Sequence, residues 1–258
     1  MTRDAERFLM YVGVGLALIL CVVSLISGLG SGSSAVGEDR TYEVEGEVLS
    51  LEVEIGAADF RIEKGEEFFV ESNLKRLTFR QIGDKLVLRE SSFGNKKYNG
   101  AYLTIYIPDG TVFDEIDITT GAGKFAAETL LAEKVSLELG AGEVNIGELI
   151  ATREAKIEGG AGAITIDGGS LKNPSFEMGV GEFRLITAII GEGKFDLGIG
   201  EANMTLIGGR ENYTVEINKG IGDISFDGDS IPGGKTIGNG QNHIEINGGI
   251  GAIKVEFE

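Results

Sequence analysis

The chain has almost none of the residues that form covalent crosslinks or transition-metal sites. Of its 258 residues, only Cys21 is a cysteine and only His243 is a histidine. Because Cys21 lies in an apolar run near the N-terminus, the rest of the chain can form neither an internal disulfide nor a thiolate metal site. His243 has no cysteine near it and no serine in a nucleophile elbow, which excludes a hydrolytic triad and argues against a zinc site. Stability must therefore come from packing.

Basic residues are also scarce. The chain has 23 lysines and arginines against 41 aspartates and glutamates, which gives a formal net charge of −18. A protein this acidic would repel both the phosphate backbone of nucleic acid and anionic lipid headgroups. We therefore expect no nucleic-acid partner, whereas cations, basic proteins and neutral glycans are compatible with the charge.

Tryptophan is absent and there are only three prolines, but there are 41 glycines. So many glycines between short alternating segments favour tight corners between strands and argue against a helical or disordered chain. The sequence therefore predicts an all-β fold. A repeat that runs through more than half of the chain further predicts one elongated domain.

One long apolar run stands near the N-terminus. Residues 8–29 carry no charge, and as a helix they would span about 33 Å, enough to cross a membrane. Arg3 and Arg7 precede the run, which predicts a single-pass protein of the bacterial cell membrane with a cytoplasmic N-terminus and the repeats outside. A cleavable signal peptide is the competing interpretation, but its apolar stretch is usually shorter. A lipoprotein signal at Cys21 is disfavoured because Leu20 precedes it and apolar residues follow.

A Gly-x-Gly corner followed by alternating apolar residues recurs seven times in the C-terminal half. Successive corners are separated by 19, 20, 19, 19, 22 and 29 residues, which is typical of a stacked repeat unit. We predict a right-handed parallel β-helix or β-roll-like stack, because parallel crossovers are nearly always right-handed. An antiparallel meander is the alternative. The first glycines of the corners are Gly121, Gly140, Gly160, Gly179, Gly198, Gly220 and Gly249.

Each unit alternates apolar and polar residues on both sides of its corner, so one face of each strand should be core. A third apolar position in the connecting segments, at Leu130, Leu149, Leu171 and Ile189, should fill the far side of the interior. We also expect the middle residue of each corner to point inward. These middle residues are Ala122, Ala141, Ala161, Val180, Ile199, Ile221 and Ile250.

The chain divides into four parts. Residues 1–30 would form the cytoplasmic tip and the membrane anchor, and residues 31–40 a Gly/Ser tether. Residues 41–115 would form hairpins that cap the stack, and residues 116–258 the Gly-x-Gly repeats. Within the hairpin region, residues 55–62 look like a worn copy of the corner. At the far end, we expect Lys254, Glu256 and Glu258 to discourage edge pairing.

The repeat units, such as the eight residues LGAGEVNI at positions 139–146, resemble the bacterial putative-adhesin β-strand repeat family, a domain of unknown function. The resemblance covers roughly residues 41 to 258. It implies a β-helix-like domain on the bacterial cell surface, linked in some members to adhesion and in others to envelope-stress regulation. It implies no site residues, since the family has no established ones to match.

Every unit has an acidic residue in the strand before its corner. If the units stack in register, neighbouring carboxylates would lie about 4.8 Å apart and repel each other by about 0.9 kcal/mol in water. The strip would bind a divalent cation such as calcium, or a basic partner; otherwise it is a solvated outer face, which is the more common arrangement. No other cofactor is expected. The acids are Asp117, Glu138, Glu158, Glu177, Asp196, Glu216 and Glu245.

These features favour a non-catalytic binding or adhesion module that presents a repetitive face to a cell-wall glycan or a surface protein. The alternative is an envelope-stress sensor that acts through a membrane partner. An enzyme such as a polysaccharide lyase is disfavoured, because Arg153, Arg184 and Arg210 are the only arginines among the repeats.

Overall fold

The computed structural model describes residues 33–90, 96–230 and 233–258. The predicted membrane segment, residues 8–29, lies outside these ranges. In the part of the chain that is described, no helix is both long enough and apolar enough to cross a membrane. The described elements are strands and one short 3-10 helix, which confirms the all-β prediction.

Eight strands precede the long repeat. The first two are short or irregularly paired, whereas β3 forms the first coil of the stack. In chain order they are β1 (Ser33–Ser34), β2 (Val36–Glu43), β3 (Ser50–Gly65), β4 (Phe69–Leu74), β5 (Leu77–Ile82), β6 (Lys85–Glu90), β7 (Lys96–Lys97) and β8 (Tyr102–Pro108).

The repeat region follows as nearly continuous strand, because the chain remains extended through its corners. The longest strand, β9, contains more than two full coils. The elements are β9 (Phe113–Ile166), β10 (Gly169–Lys172), β11 (Pro174–Ile190), β12 (Glu192–Leu206), the 3-10 helix η1 (Arg210–Asn212), β13 (Tyr213–Ile221), β14 (Ile224–Phe226), β15 (Asp229–Ser230), β16 (Lys235–Gly238) and β17 (Asn242–Phe257).

Neighbouring coils pair in parallel and in register, which excludes the antiparallel meander for the repeats. β3 pairs with β9, β9 with β11, and β11 with β12. The worn corner is part of this stack, since Ala57 lies opposite Ala122. The right-handedness of the stack and the boundary between residues 115 and 116 stay predictions.

Apolar side chains fill the inside of the coils. Phe60 stacks on Phe125 with ring centroids 4.8 Å apart, and Phe176 stacks on Phe195 at 5.0 Å. Rings therefore lie directly above their register partners, as the parallel pairing requires. The third apolar position of each coil is buried as predicted, at Leu130, Leu149, Leu171 and Ile189.

The order of coils at the C-terminal end differs from their order in the chain. β17, the last strand, pairs with β12 on one side and with β13 and β14 on the other. The prediction that Lys254, Glu256 and Glu258 protect the last edge is therefore wrong, because these residues lie in the coil below the last. The outer coil is instead covered by short antiparallel strands, with β16 on β13 and β15 on β14.

The N-terminal end is closed by antiparallel pairs, as the hairpin-rich sequence predicts. β6 and β8 both lie parallel to β3, and each is extended by an antiparallel neighbour, β5 on β6 and β4 on β8. β2 then pairs with β4. At the end of β6, the buried Glu90 accepts hydrogen bonds from the Tyr98 hydroxyl and the Gly56 amide at the first corner.

Candidate functional site

At the glycines of the corners, the backbones of neighbouring coils lie too close together to leave room for a side chain. At the second glycine of a corner the backbone has a positive φ, +143° at Gly200 and +144° at Gly181. A Cβ placed on Gly200 would overlap the carbonyl oxygen of Gly181 in the coil below. Glycine is required there both for the backbone angle and for the space.

The middle residues of the last three corners point outward and those of the other corners are half-buried, so the prediction that they all face the core is wrong. Ile199, Ile250 and Ile221 are exposed, at 50%, 41% and 70%. Val180 pairs with Ile199, Ile199 with Ile250, and Ile250 with Ile221. These four residues form a file of branched apolar side chains on the outside of neighbouring coils, which we name the corner ridge.

The reason for the outward direction is a change of phase at the corner. In β11, Phe176 and Met178 are buried before the corner, and Phe183 and Leu185 are buried after it. Met178 and Phe183 lie five positions apart in the sequence, whereas strict alternation would place buried residues an even number of positions apart. The corner therefore absorbs one residue, as a β-bulge does, and leaves Val180 on the outer side. This odd spacing was the signal available in the sequence.

The corner ridge stands on a closed core and has an acidic margin. A cavity of only about 30 Å³ lies at its base, lined by Met178, Phe183 and Ile253 among others, with room for no more than a few water molecules. Glu182 and Glu201, which follow the corners on neighbouring coils, are register partners and are exposed. A ligand of the ridge must therefore bind on its outside and tolerate carboxylates beside it.

The seven acids of the predicted strip do not form one file. Glu158, Glu177 and Asp196 are direct register partners on neighbouring coils, and Glu138 occupies the same place in its own unit, two residues before its corner glycine. The other three acids lie four residues before their corners: Asp117, Glu216 and Glu245.

This second file contains cations as well as acids. Asp117 lies opposite Glu52, and Glu216 lies opposite Glu245, which in turn lies opposite Lys194. Lys156 and Lys194 are both register partners of Ser175. The two files therefore run side by side on the outer face, two residues apart along each strand.

The lysines explain how the middle of the strip tolerates its like charges. Lys156 Nζ lies 2.5 Å from a carboxylate oxygen of Glu158. The hydrogen bond to Glu158 raises the pKa of Lys156, and the charges of Glu158, Glu138 and Glu177 add to this effect. One ammonium group thus lies close enough to interact with three carboxylates.

Asp196 is both buried and hydrogen-bonded to two side chains. Its side chain is buried, and it accepts hydrogen bonds from Lys194 Nζ at 2.6 Å and from Asn247 Nδ2 at 2.8 Å. Asn247 replaces an acid at this position of the next coil, and it accepts a hydrogen bond from Asn218 in the outer coil. The amide pair continues the file of acids without adding charge, so the repulsion ends at Asp196.

Asp117 lies at the other end of the face and carries an electrostatic cost. Partial burial raises the pKa of Asp117, and the neighbouring charges of Glu52 and Glu115 raise it further. Glu52 has the opposite shift, because hydrogen bonds from Lys85 and Arg89 lower its pKa. The two basic residues are therefore used mainly by Glu52, and Asp117 is left partly uncompensated.

Metal ligands do not converge anywhere in residues 33–90, 96–230 and 233–258. Within these ranges, no group of three or more histidine, cysteine, aspartate or glutamate side chains is placed to hold a metal ion. His243 is exposed, with its register partners Glu192 and Thr214 on the neighbouring coils. Calcium binding along the acidic strip stays a prediction.

The parallel coils, the glycine corners and the antiparallel ends together agree with a known family. The family model described as Toastrack DUF4097 matches residues 57–233, which is well over half of the chain. The chain belongs to this family. No curated protein matches it.

Solved structures similar to this Toastrack chain come from several bacteria. A putative cell adhesion protein from Clostridium sporogenes is 15% identical, with 86% of this chain and 99% of that chain covered and a TM-score of 0.37. A putative adhesin from Bacteroides fragilis is 11% identical, with 88% of this chain and 100% of that chain covered and a TM-score of 0.39. A putative lipid binding protein from Parabacteroides distasonis is 15% identical, with 88% of this chain and 98% of that chain covered and a TM-score of 0.33.

The match to the Toastrack model includes most of the corner ridge. Its first residue is Ala57, the middle residue of the worn corner, and Ile221 lies within it, whereas Ile250 and the rest of β17 follow the matched stretch. The β-strand repeat family of unknown function expected from the sequence agrees with this assignment.

Proposed function

We propose that this Toastrack chain is a non-catalytic binding module of the bacterial cell surface, held at the membrane by residues 8–29, and that the corner ridge binds a surface protein. The observation that supports this proposal is the contiguous exposure of Ile199, Ile250 and Ile221 on three neighbouring coils. Contiguous exposed apolar side chains mark interaction sites more often than single ones do.

The chemistry of the ridge favours a protein over a glycan. Isoleucine offers no hydrogen bond and no flat ring face, whereas a sugar needs polar partners for its hydroxyl groups. A protein groove with apolar walls would bury the ridge, and basic residues at its rim would pair with Glu182 and Glu201. The acidic margin also argues against insertion of the ridge into an anionic lipid surface.

Site-specific photo-crosslinking of the full chain, in the bacterium from which it comes, tests this proposal. A photoreactive phenylalanine analogue is placed at position 199, and in a second strain at position 190. Ile190 is the matched control, because it is exposed to the same 50% but lies away from the ridge. We expect a discrete adduct at position 199 whose size glycosidases leave unchanged and whose digest yields peptides of a second protein.

A second substitution links the adduct to the ridge rather than to one residue. Ile250→Asp, on the neighbouring coil, is expected to abolish the adduct formed at position 199, while Ile82→Asp leaves it unchanged. Both isoleucines are exposed, so neither change should unfold the chain. Equal adducts at positions 199 and 190, or an adduct that survives Ile250→Asp, would refute the proposed role of the ridge.

A further inference from the structure

A cleft of about 900 Å³ lies at the N-terminal end of the stack, opposite the end that carries the corner ridge. Three segments enclose it: residues 43–48 between β2 and β3, residues 67–69 between β3 and β4, and residues 108–112 between β8 and β9. The volume lies within the range of small-molecule and peptide sites. We name it the end cleft.

The floor of the end cleft is apolar and its position is fixed by the core. Phe68 and Phe69 both line it and are half-buried. Phe68 packs edge-on against the buried Phe113 at 6.4 Å, and Phe69 stacks on Tyr106 at 4.3 Å. Val112, at the rim, is 51% exposed. These groups offer a preformed apolar surface that water covers poorly.

One wall of the cleft is held by hydrogen bonds to a segment distant in sequence, and the other by a local hydrogen bond within its own turn. Gln81 accepts a hydrogen bond from the Glu45 amide at 3.0 Å and donates one back to the Glu45 carbonyl oxygen. On the opposite wall, the Thr111 hydroxyl donates to the Pro108 carbonyl oxygen at 2.6 Å. Both walls are therefore built before any ligand arrives, which lowers the entropic cost of binding.

The rim of the cleft carries one sign of charge. Four glutamates line it and are exposed: Glu43, Glu45, Glu47 and Glu67. The lining includes no lysine, arginine or histidine. Within the described residues, none of the four takes part in an ion pair. Lys64, at the end of β3, pairs instead with Asp109 at 3.0 Å.

We propose that the end cleft binds cationic amphipathic peptides, with apolar side chains on the phenylalanine floor and amines at the glutamate rim. An apolar floor alone would accept any hydrophobic group, but the unpaired carboxylates at the rim exclude anionic ligands and favour amines. This site is separate from the corner ridge. Its failure would leave the proposed function untouched, and the reverse also holds.

The probe is a rhodamine-labelled KFKF amide, and binding to the full chain is followed by fluorescence anisotropy. Two matched peptides separate the contributions: EFEF reverses the charge, and KSKS removes the apolar groups. We expect KFKF to bind at least about tenfold more tightly than either control, and its affinity to fall when salt is raised from about 50 to 500 mM.

Variants locate the binding at the cleft. The triple variant Glu43→Gln, Glu45→Gln, Glu67→Gln keeps side-chain size and is expected to weaken KFKF binding about tenfold. The matched control, Glu154→Gln, Glu192→Gln, Glu211→Gln, removes the same charge from exposed positions elsewhere on the stack and is expected to change affinity less than about twofold. Val112→Ser tests the apolar rim and should weaken KFKF while leaving KSKS unchanged.

Circular dichroism of each variant shows whether its strands are intact, so that lost binding is not confused with lost folding. Equal weakening by the two triple variants would show a general attraction to an acidic protein and would overturn the proposal. Equal affinity for KFKF and KSKS would overturn it as well, because the phenylalanine floor would then have no role.

Discussion

At the scale of single residues, the glycine corners decide whether coils can stack at all. Gly200 combines a positive φ with direct contact to the Gly181 carbonyl group, so an added Cβ has neither a permitted backbone angle nor room. Gly83, in the β5–β6 turn, also has a positive φ but has open space around it. Comparing the two glycines therefore separates the cost of steric overlap from the cost of the backbone angle.

Gly200→Ala is expected to destabilise the chain by about 3 kcal/mol or more, because overlap with the backbone below adds to the cost of the backbone angle. Gly83→Ala should cost about 1 kcal/mol, since only the angle is unfavourable. Urea unfolding of both variants measures the difference. Equal losses would show that the coils at Gly200 are further apart than the structure has them.

Asp117 provides a pH-dependent test at the same scale. Because its pKa in the folded chain is raised above the usual 3.8, folding disfavours its ionised form, and stability is lost as pH rises through the raised pKa. At pH 7, Asp117→Asn should therefore raise the free energy of unfolding by about 0.5 kcal/mol, a small gain because the side chain is exposed to solvent. The gain should disappear below pH 3.8, where the carboxyl is protonated in both states.

Asp114→Asn is the control for this substitution. Asp114 lies on the same strand and is exposed, and its replacement at pH 7 should change stability by clearly less than the Asp117 substitution does. A loss of stability at pH 7 in the Asp117 variant would mean that Asp117 receives more support from Lys85 and Arg89 than the geometry indicates.

At the scale of elements, β17 lies between two coils that precede it in sequence. Asn247 connects all three, donating to Asp196 in β12 and accepting from Asn218 in β13. Loss of its side chain would leave the buried Asp196 carboxylate with Lys194 as its remaining named partner. Register at this end of the stack therefore depends on a polar contact as well as on the apolar core.

Asn247→Ala is expected to lower the free energy of unfolding by about 1.5 kcal/mol. Asn145→Ala, which removes an exposed amide bonded to Glu143 within one strand, should cost less than about 0.5 kcal/mol. Equilibrium unfolding in urea compares the two. If both variants have wild-type stability, the amide link between β12, β17 and β13 does not hold the coils together.

The strands could be predicted from the sequence, whereas the direction of the corner residues and the position of β17 in the stack could not. Alternation around each corner identified the strands and their buried faces, because that pattern is local. The outward direction of Ile199 was missed because the corner shifts the phase by one residue, a change visible only in the odd spacing of apolar positions. The position of β17 was missed because pairing between distant coils depends on which surfaces remain open after the earlier coils have stacked.

The acidic strip could likewise be predicted in part from the sequence, whereas the end cleft could not. The sequence shows an acid in every unit, but counting back from each corner glycine would have separated these acids into two files. The lysines that neutralise one file, Lys156 and Lys194, lie two residues away on the same strands and were visible in the sequence. The end cleft had no sequence signal, since three segments distant along the chain enclose it.

At the scale of the whole molecule, the chain is a stack of coils with antiparallel strands at both ends and different chemistry at each. One end carries an acidic cleft with an apolar floor, and the corner ridge runs along the coils near the other. Between them, Lys156 and Lys194 pair with Glu158 and Asp196 on the outer face of the coils. Such a molecule is suited to contact with separate partners at its two ends, which is the basis of both proposals.

Disulfide formation between corner residues tests the order and register of the coils most directly. In a Cys21→Ser background, Ile199→Cys is combined with either Ile250→Cys or Ile221→Cys. Ile199 and Ile250 are register partners on adjacent coils, about 4.8 Å apart and within reach of a disulfide, whereas Ile221 lies one coil further away. We predict rapid oxidation of the 199–250 pair and none of the 199–221 pair. Crosslinking of 199 to 221 instead would contradict both the order of the coils and the ridge built on it.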